Sequence, residues 1–232
     1  MINYIDNIYI WIPVALFVYI GFSIFSVKIE NDYQVKFERE KTTWQAAIPS
    51  IVFFLIALVT LFAKAKNLQV AASYVPFAMA FAALRTVWVI DRMVLLIPDR
   101  AQVIGATAGA LYVGIQCLSG ENRSELFLSL AAGLGMVFLL WLLSVIYFRM
   151  RGSIGFGFGD IKLLAWLSLF VGSRMSDLIL ISIGLGIVNI IISTVFKSVD
   201  DKKVKLPALQ DSFAFGPSIV LGYLILEFIR YA

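Results

Sequence analysis

The sequence predicts an all-α, polytopic membrane helical bundle of about eight transmembrane helices, forming one domain over residues 1–232. Three observations carry that prediction. Hydrophobic residues make up 61% of the chain and charged residues 15%, with a mean hydropathy of +0.91; an average soluble domain has fewer of the first and more of the second. The apolar residues gather into runs close to the roughly 20 residues a helix needs to cross a bilayer. Short polar or Gly/Pro-marked connections separate these runs, which fits a single membrane domain at this length.

In chain order, the apolar run at 8–27 has no basic segment before it and no small-residue cleavage site after it. It reads as a retained span rather than a signal peptide. Residues 28–43 follow as a short cytoplasmic stretch in which Lys28, Lys36, Arg39 and Lys41 are mixed with Glu30, Asp32, Glu38 and Glu40. Mixed charge of this kind is a solvated loop or an interfacial helix. Further spans are read at 46–63, 70–90, 101–118, 126–148, 161–171, 178–196 and 213–228 from apolar length and breakers. The run at 161–171 is short for a full crossing, so its helix is expected to begin within the preceding glycines or to tilt.

Basic residues orient the bundle, because cytoplasmic loops carry an excess of Lys and Arg. With the N-terminus outside, the inner loops hold Lys28, Lys36, Arg39, Lys41, Arg92, Arg100, Arg149, Arg151, Lys197, Lys202, Lys203 and Lys205. The outer loops hold Lys64, Lys66, Arg123, Arg174 and Arg230. The net charge of +4 is thus explained by topology and calls for no nucleic acid.

The chain has no histidine and one cysteine, Cys117. Ser-His-Asp and Cys-His catalysis, the HExxH zinc site and cysteine-ligated zinc clusters are therefore excluded. Cys117, near the end of an apolar helix, reads as a small buried hydrophobe. Carboxylates are the groups left for hydrolysis, and no metal or other cofactor is called for.

Two acids stand out. Asp91 closes the span at 70–90, within Val89-Ile90-Asp91-Arg92. Asp160 follows the glycine ladder Gly155-Phe156-Gly157-Phe158-Gly159. A carboxylate at the mouth of an apolar helix costs free energy and is a functional-site hypothesis by default. The orientation places both at the cytoplasmic border, although they lie far apart in sequence. Two carboxylates that approach within a few ångströms share one proton, so one can activate water while the other polarises a peptide carbonyl. The glycines permit unusual backbone and close chain approach beside Asp160, in a notch that water can enter.

Plainer readings stand beside these. The ladder can be a cytoplasmic turn with Asp160 as the N-cap of a helix starting at Ile161. Asp91 can be an interfacial acid neutralised by Arg92 or Arg85. Lys162 either neutralises a nearby carboxylate or snorkels to the headgroups, the second being preferred.

Three blocks in order resemble the prepilin peptidases, polytopic aspartyl proteases of the GxGD type. They are Ile90-Asp91 with Leu95-Leu96-Ile97-Pro98-Asp99, then Gly155-Phe156-Gly157-Phe158-Gly159-Asp160-Ile161-Lys162-Leu163-Leu164-Ala165, then Phe215-Gly216-Pro217. The resemblance implies Asp91 and Asp160 as the catalytic pair, with Gly157 and Gly159 shaping the chain around Asp160. Pro98 would bend the chain behind Asp91, and Lys162 and Asp99 would support the site. It further implies that the partners are the bilayer and a type IV prepilin or pseudopilin. The substrate would be cut on the cytoplasmic side after a glycine that ends a short basic leader, toward which Asp99, Glu38 and Glu40 are steering candidates. Bifunctional members carry two Cys-x-x-Cys pairs in a larger domain after the first span and N-methylate the product. Residues 28–43 are too short for that domain and hold no cysteine, so peptidase activity without that methylation module is expected.

The rivals are an archaeal preflagellin peptidase, a presenilin-like or signal-peptide-peptidase-like enzyme, and a non-enzymatic scaffold or transporter. The second is favoured by Pro207-Ala208-Leu209 but lacks a tyrosine before Asp91. In the third, the acids would bind ions or relay protons.

Overall fold

The computed structural model describes residues 4–37, 73–118, 123–152, 157–200 and 214–231, with positions 51, 55 and 59. Among these residues all regular structure is helical. The helices are α1 (Tyr4–Phe37), α2 (Tyr74–Val94), α3 (Asp99–Leu118), α4 (Arg123–Arg151), α5 (Phe158–Val171), α6 (Met175–Asp200) and α7 (Gly216–Tyr231), with a 3-10 turn, Gly172–Arg174, between α5 and α6. Among the described residues, four stretches are long and apolar enough to cross a membrane: Pro13–Tyr33, Asp99–Leu118, Arg123–Arg151 and Phe158–Ile192. Gly216–Ile229 is a shorter apolar helix. The expected span at 46–63 lies almost wholly outside the described residues.

The bundle is built around α2, which is buried at nearly every position from Tyr74 to Asp91. Its alanines Ala78, Ala80, Ala82 and Ala83 leave little side chain to hold neighbours apart. That matters in lipid, where apolar burial alone does not drive helices together and close packing of small residues does. Along α1, residues Ala15, Tyr19, Phe22, Ser26 and Ile29 recur at alternating steps of four and three and lie on the buried side. This spacing makes one straight seam. Two contacts fix its register against α2: the Ser26 hydroxyl donates to the Ala82 carbonyl at 3.3 Å, and Arg85 meets Glu30 at 3.0 Å. Both chains advance together through these contacts, so α1 and α2 run parallel.

This seam decides between the loop and the helix read for the start of residues 28–43. The helix that begins in the membrane continues unbroken to Phe37, so the first part of that stretch is not a loop. Glu30 is fully buried, not solvated, because the helical period returns it to the seam one turn after Ser26. Residues 38–43, with Glu38 and Glu40, lie outside the described residues.

On another side of α2, α3 packs against α5. A Cβ on Gly105 would collide with the Trp166 ring, and one on Gly109 would stand 2.6 Å from Leu169, so these glycines let the two helix backbones approach. Phe77 and Tyr112 join Phe170 at ring-centroid distances of 5.2 and 5.1 Å, contacts of about 0.5–1.5 kcal/mol each. In α4 only Gly133 and Val137 are buried, as befits a lipid-facing helix. Gly172, at φ 57°, ends α5 in the left-handed region open to glycine. The neighbouring Ser173 N–H is accepted by the Ser129 hydroxyl at 2.9 Å. Cys117 is half-buried rather than enclosed, since it lies in the last turn of α3.

Candidate active site

The C-terminus of α2 and the N-termini of α3, α5 and α7 converge at one end of the bundle. Asp91 lies in the last turn of α2, 4% exposed. Leu95 caps that helix in the left-handed region at φ 55°, its N–H returning to the Asp91 carbonyl at 2.9 Å. The chain then turns through Leu96 and Ile97 to Pro98, whose carbonyl accepts the first hydrogen bonds of α3 from Ala101 and Gln102 at 3.1 and 3.2 Å. Pro98 thus stands immediately before α3, in the turn that follows Asp91.

Asp160 sits in the first turn of α5, half-buried. The helix starts at Phe158 with Gly157 at its N-cap in an extended conformation (φ −61°, ψ 134°). Asp160 is thus not the cap of a helix beginning at Ile161; the helix begins inside the ladder. Gly157 and Gly159 do not have the positive φ expected of an unusual backbone, since Gly152 and Gly172 are the described glycines that do. Their use is close approach. A Cβ on Gly157 would lie 2.7 Å from Oδ2 of Asp160, and one on Gly159 would press on Ile97 at 3.2 Å. Gly155 lies outside the described residues.

Asp91 and Asp160 are brought together. Ile97 touches the neighbours of both. A Cβ on Gly216, beside Asp91, would stand 3.3 Å from Ile97 Cδ1. Gly216 opens α7 and donates its N–H to Oδ2 of Asp91 at 3.0 Å. A Cβ there would lie 2.7 Å from the same oxygen. Each carboxylate thus has a glycine pressed against one oxygen. A donor at a helix N-terminus is well suited to hold a carboxylate oriented.

The arginines proposed as neutralisers of Asp91 are placed elsewhere. Arg85 pairs with Glu30, and Arg92 lies over the Trp88 ring at 5.4 Å. Lys162 does more than snorkel: its ammonium meets Asp99 at 2.7 Å and stands 5.0 Å over the Phe158 ring. Both partners are exposed, so the pair is a rim contact between α3 and α5 of little stabilising value. Arg100 and Asp32 make a similar contact at 2.8 Å.

Sequence reasoning missed Gln102. Buried in the first turns of α3, its amide donates to the Gly159 carbonyl at 2.9 Å and accepts from the Trp166 indole N–H at 2.8 Å. It ties α3 to the backbone next to Asp160. An amide side chain in an apolar span was the available signal, since such groups find partners across helices.

The arrangement defines a class: an all-helical protein with membrane-length apolar helices, in which two aspartates from separate helices are placed at one end. The sequence profile of the type IV leader peptidase family matches residues 78–198, which include both aspartates, and the chain belongs to that peptidase family. No curated protein and no solved structure matches it. The matched region ends before Gly216, and Pro207-Ala208-Leu209 lies outside the described residues.

Proposed function

We propose that this protein is an aspartic endopeptidase that removes the short basic leader of type IV prepilins or pseudopilins, cutting after glycine. In this reading it spans the bacterial inner membrane with about eight helices and its N-terminus outside. Asp91 and Asp160 are its catalytic pair at the cytoplasmic border. The observation that supports it most is the placement of these two carboxylates at one end of the bundle, 4% exposed and half-buried respectively, from helices that are not sequence neighbours.

One shared proton suffices for the chemistry. The ionised carboxylate takes a proton from water as the water oxygen bonds to the scissile carbonyl carbon. The protonated partner donates a hydrogen bond to the carbonyl oxygen and steadies its developing charge. Collapse of the tetrahedral intermediate breaks the C–N bond, and a carboxyl proton passes to the leaving amine. Gly216 keeps Asp91 aimed, while Gln102 fixes the backbone beside Asp160.

The proposal is tested by incubating the protein in bilayers with a prepilin and with a helix-embedded peptide substrate, recording product masses. A single cut after the leader glycine supports it. Cleavage only within the embedded helix contradicts it and favours the presenilin-like alternative. An added methyl mass would contradict the expectation of peptidase activity alone.

A further inference from the structure

We propose that the buried ion pair Glu30–Arg85 sets the height and rotation of α2 and thereby places Asp91, making both positioning residues of the site. The register claim stands on geometry; its effect on cleavage rests on the peptidase reading above.

The two side chains are 0% and 2% exposed and meet at 3.0 Å, inside a bundle of helices suited to lipid. Charges there are costly, and separating this pair takes from each buried group a directional partner of opposite charge. Neither takes part in the proposed reaction. Arg85 precedes Asp91 by six residues, about 9 Å along the helix axis and about one and two-thirds turns, which leaves the two roughly 120° apart around it. The same helix therefore shows Arg85 to α1 and Asp91 to α7. The alanines of α2, Ala78, Ala80, Ala82 and Ala83, all precede Arg85, and the smooth apolar surface they make resists sliding weakly. The directional contacts resist it strongly. A shift of α2 by one turn, about 5.4 Å, would break Glu30–Arg85 and the adjoining Ser26–Ala82 hydrogen bond together. It would also carry the Asp91 carboxylate away from the Gly216 N–H. Using a buried polar pair to specify register is a known role of such groups.

The test uses the full chain in lipid nanodiscs, with Cys117→Ala and nitroxides on Leu95→Cys and Phe158→Cys, two exposed sites flanking the aspartates. Pulsed EPR distances are compared for wild type, the apolar double variant Glu30→Met with Arg85→Met, and the swap Glu30→Arg with Arg85→Glu. Label-free versions are assayed for prepilin cleavage.

The apolar pair is expected to melt no lower than wild type yet to shift or broaden the distance distribution. Its kcat should fall by about tenfold or more while KM stays within about twofold. The swap should restore the single distribution and bring kcat to within roughly threefold of wild type. A folded methionine pair with wild-type distances and kcat overturns the proposal. So does a folded swap whose distances remain displaced, and the swap alone decides if the methionine pair does not fold. If wild type cleaves no prepilin, the peptidase reading fails while the distances still decide the register.

Discussion

The backbone N–H of Gly216 donates to Oδ2 of Asp91 at 3.0 Å, across 125 positions of chain. This bond makes the start of the last helix part of the site, although the family match ends at residue 198. It also gives the Phe215-Gly216-Pro217 turn a physical reason: only a residue without Cβ fits against the carboxylate, where a Cβ would stand 2.7 Å away.

Gly216→Ala is therefore expected to push the Asp91 side chain off its position while leaving the bundle folded. A displacement of about 1 Å at a reacting group costs roughly 100-fold in rate. Purified variant protein should show wild-type melting and strongly reduced kcat for prepilin cleavage.

Gln102→Leu should lower stability. It strands the Trp166 N–H and removes the second hydrogen bond to the Gly159 carbonyl, and a buried unpaired group costs about 1–3 kcal/mol. Thermal unfolding in detergent checks the stability, and a parallel fall in kcat would show that the carbonyl beside Asp160 matters to the site.

Lys162→Met and Asp99→Asn break the exposed rim pair. Each should change stability by less than about 1 kcal/mol, read from melting at two salt concentrations. A larger loss would mean that the α3–α5 contact is held at its rim rather than by Gln102.

A pair that works with one shared proton predicts a bell-shaped dependence of kcat/KM on pH. At low pH the carboxylate that activates water is lost; at high pH the proton that polarises the carbonyl is lost. Rates measured in bilayers across the accessible pH range should fall on both sides of a maximum, and a curve with one limb would contradict the shared proton.

Much of this was legible in the sequence because membrane constraints write themselves into it. Apolar run length gave helices at 101–118, 126–148 and 178–196 close to α3, α4 and α6, and the Gly and Pro punctuation located the turns around Asp91 and Asp160. The start of α5 inside the ladder followed from the shortness of its apolar run. What was not legible depended on how helices face one another. Glu30 sits among solvated-looking charges, and only the seam of α1 shows that it is buried against Arg85. Gln102 is one amide in an apolar run, and its partners, a backbone carbonyl and an indole, lie more than 50 positions away. The Gly216–Asp91 bond joins a backbone group to a side chain and leaves no pattern in either segment.

The central claim, that Asp91 and Asp160 act as one catalytic pair, is tested most directly by prepilin cleavage in membranes containing equal amounts of folded wild type, Asp91→Asn or Asp160→Asn. The account predicts cleavage by wild type and none by either variant, since each asparagine keeps the shape of the side chain but can neither carry the charge nor pass the proton. Cleavage by either variant at a rate near wild type would contradict it.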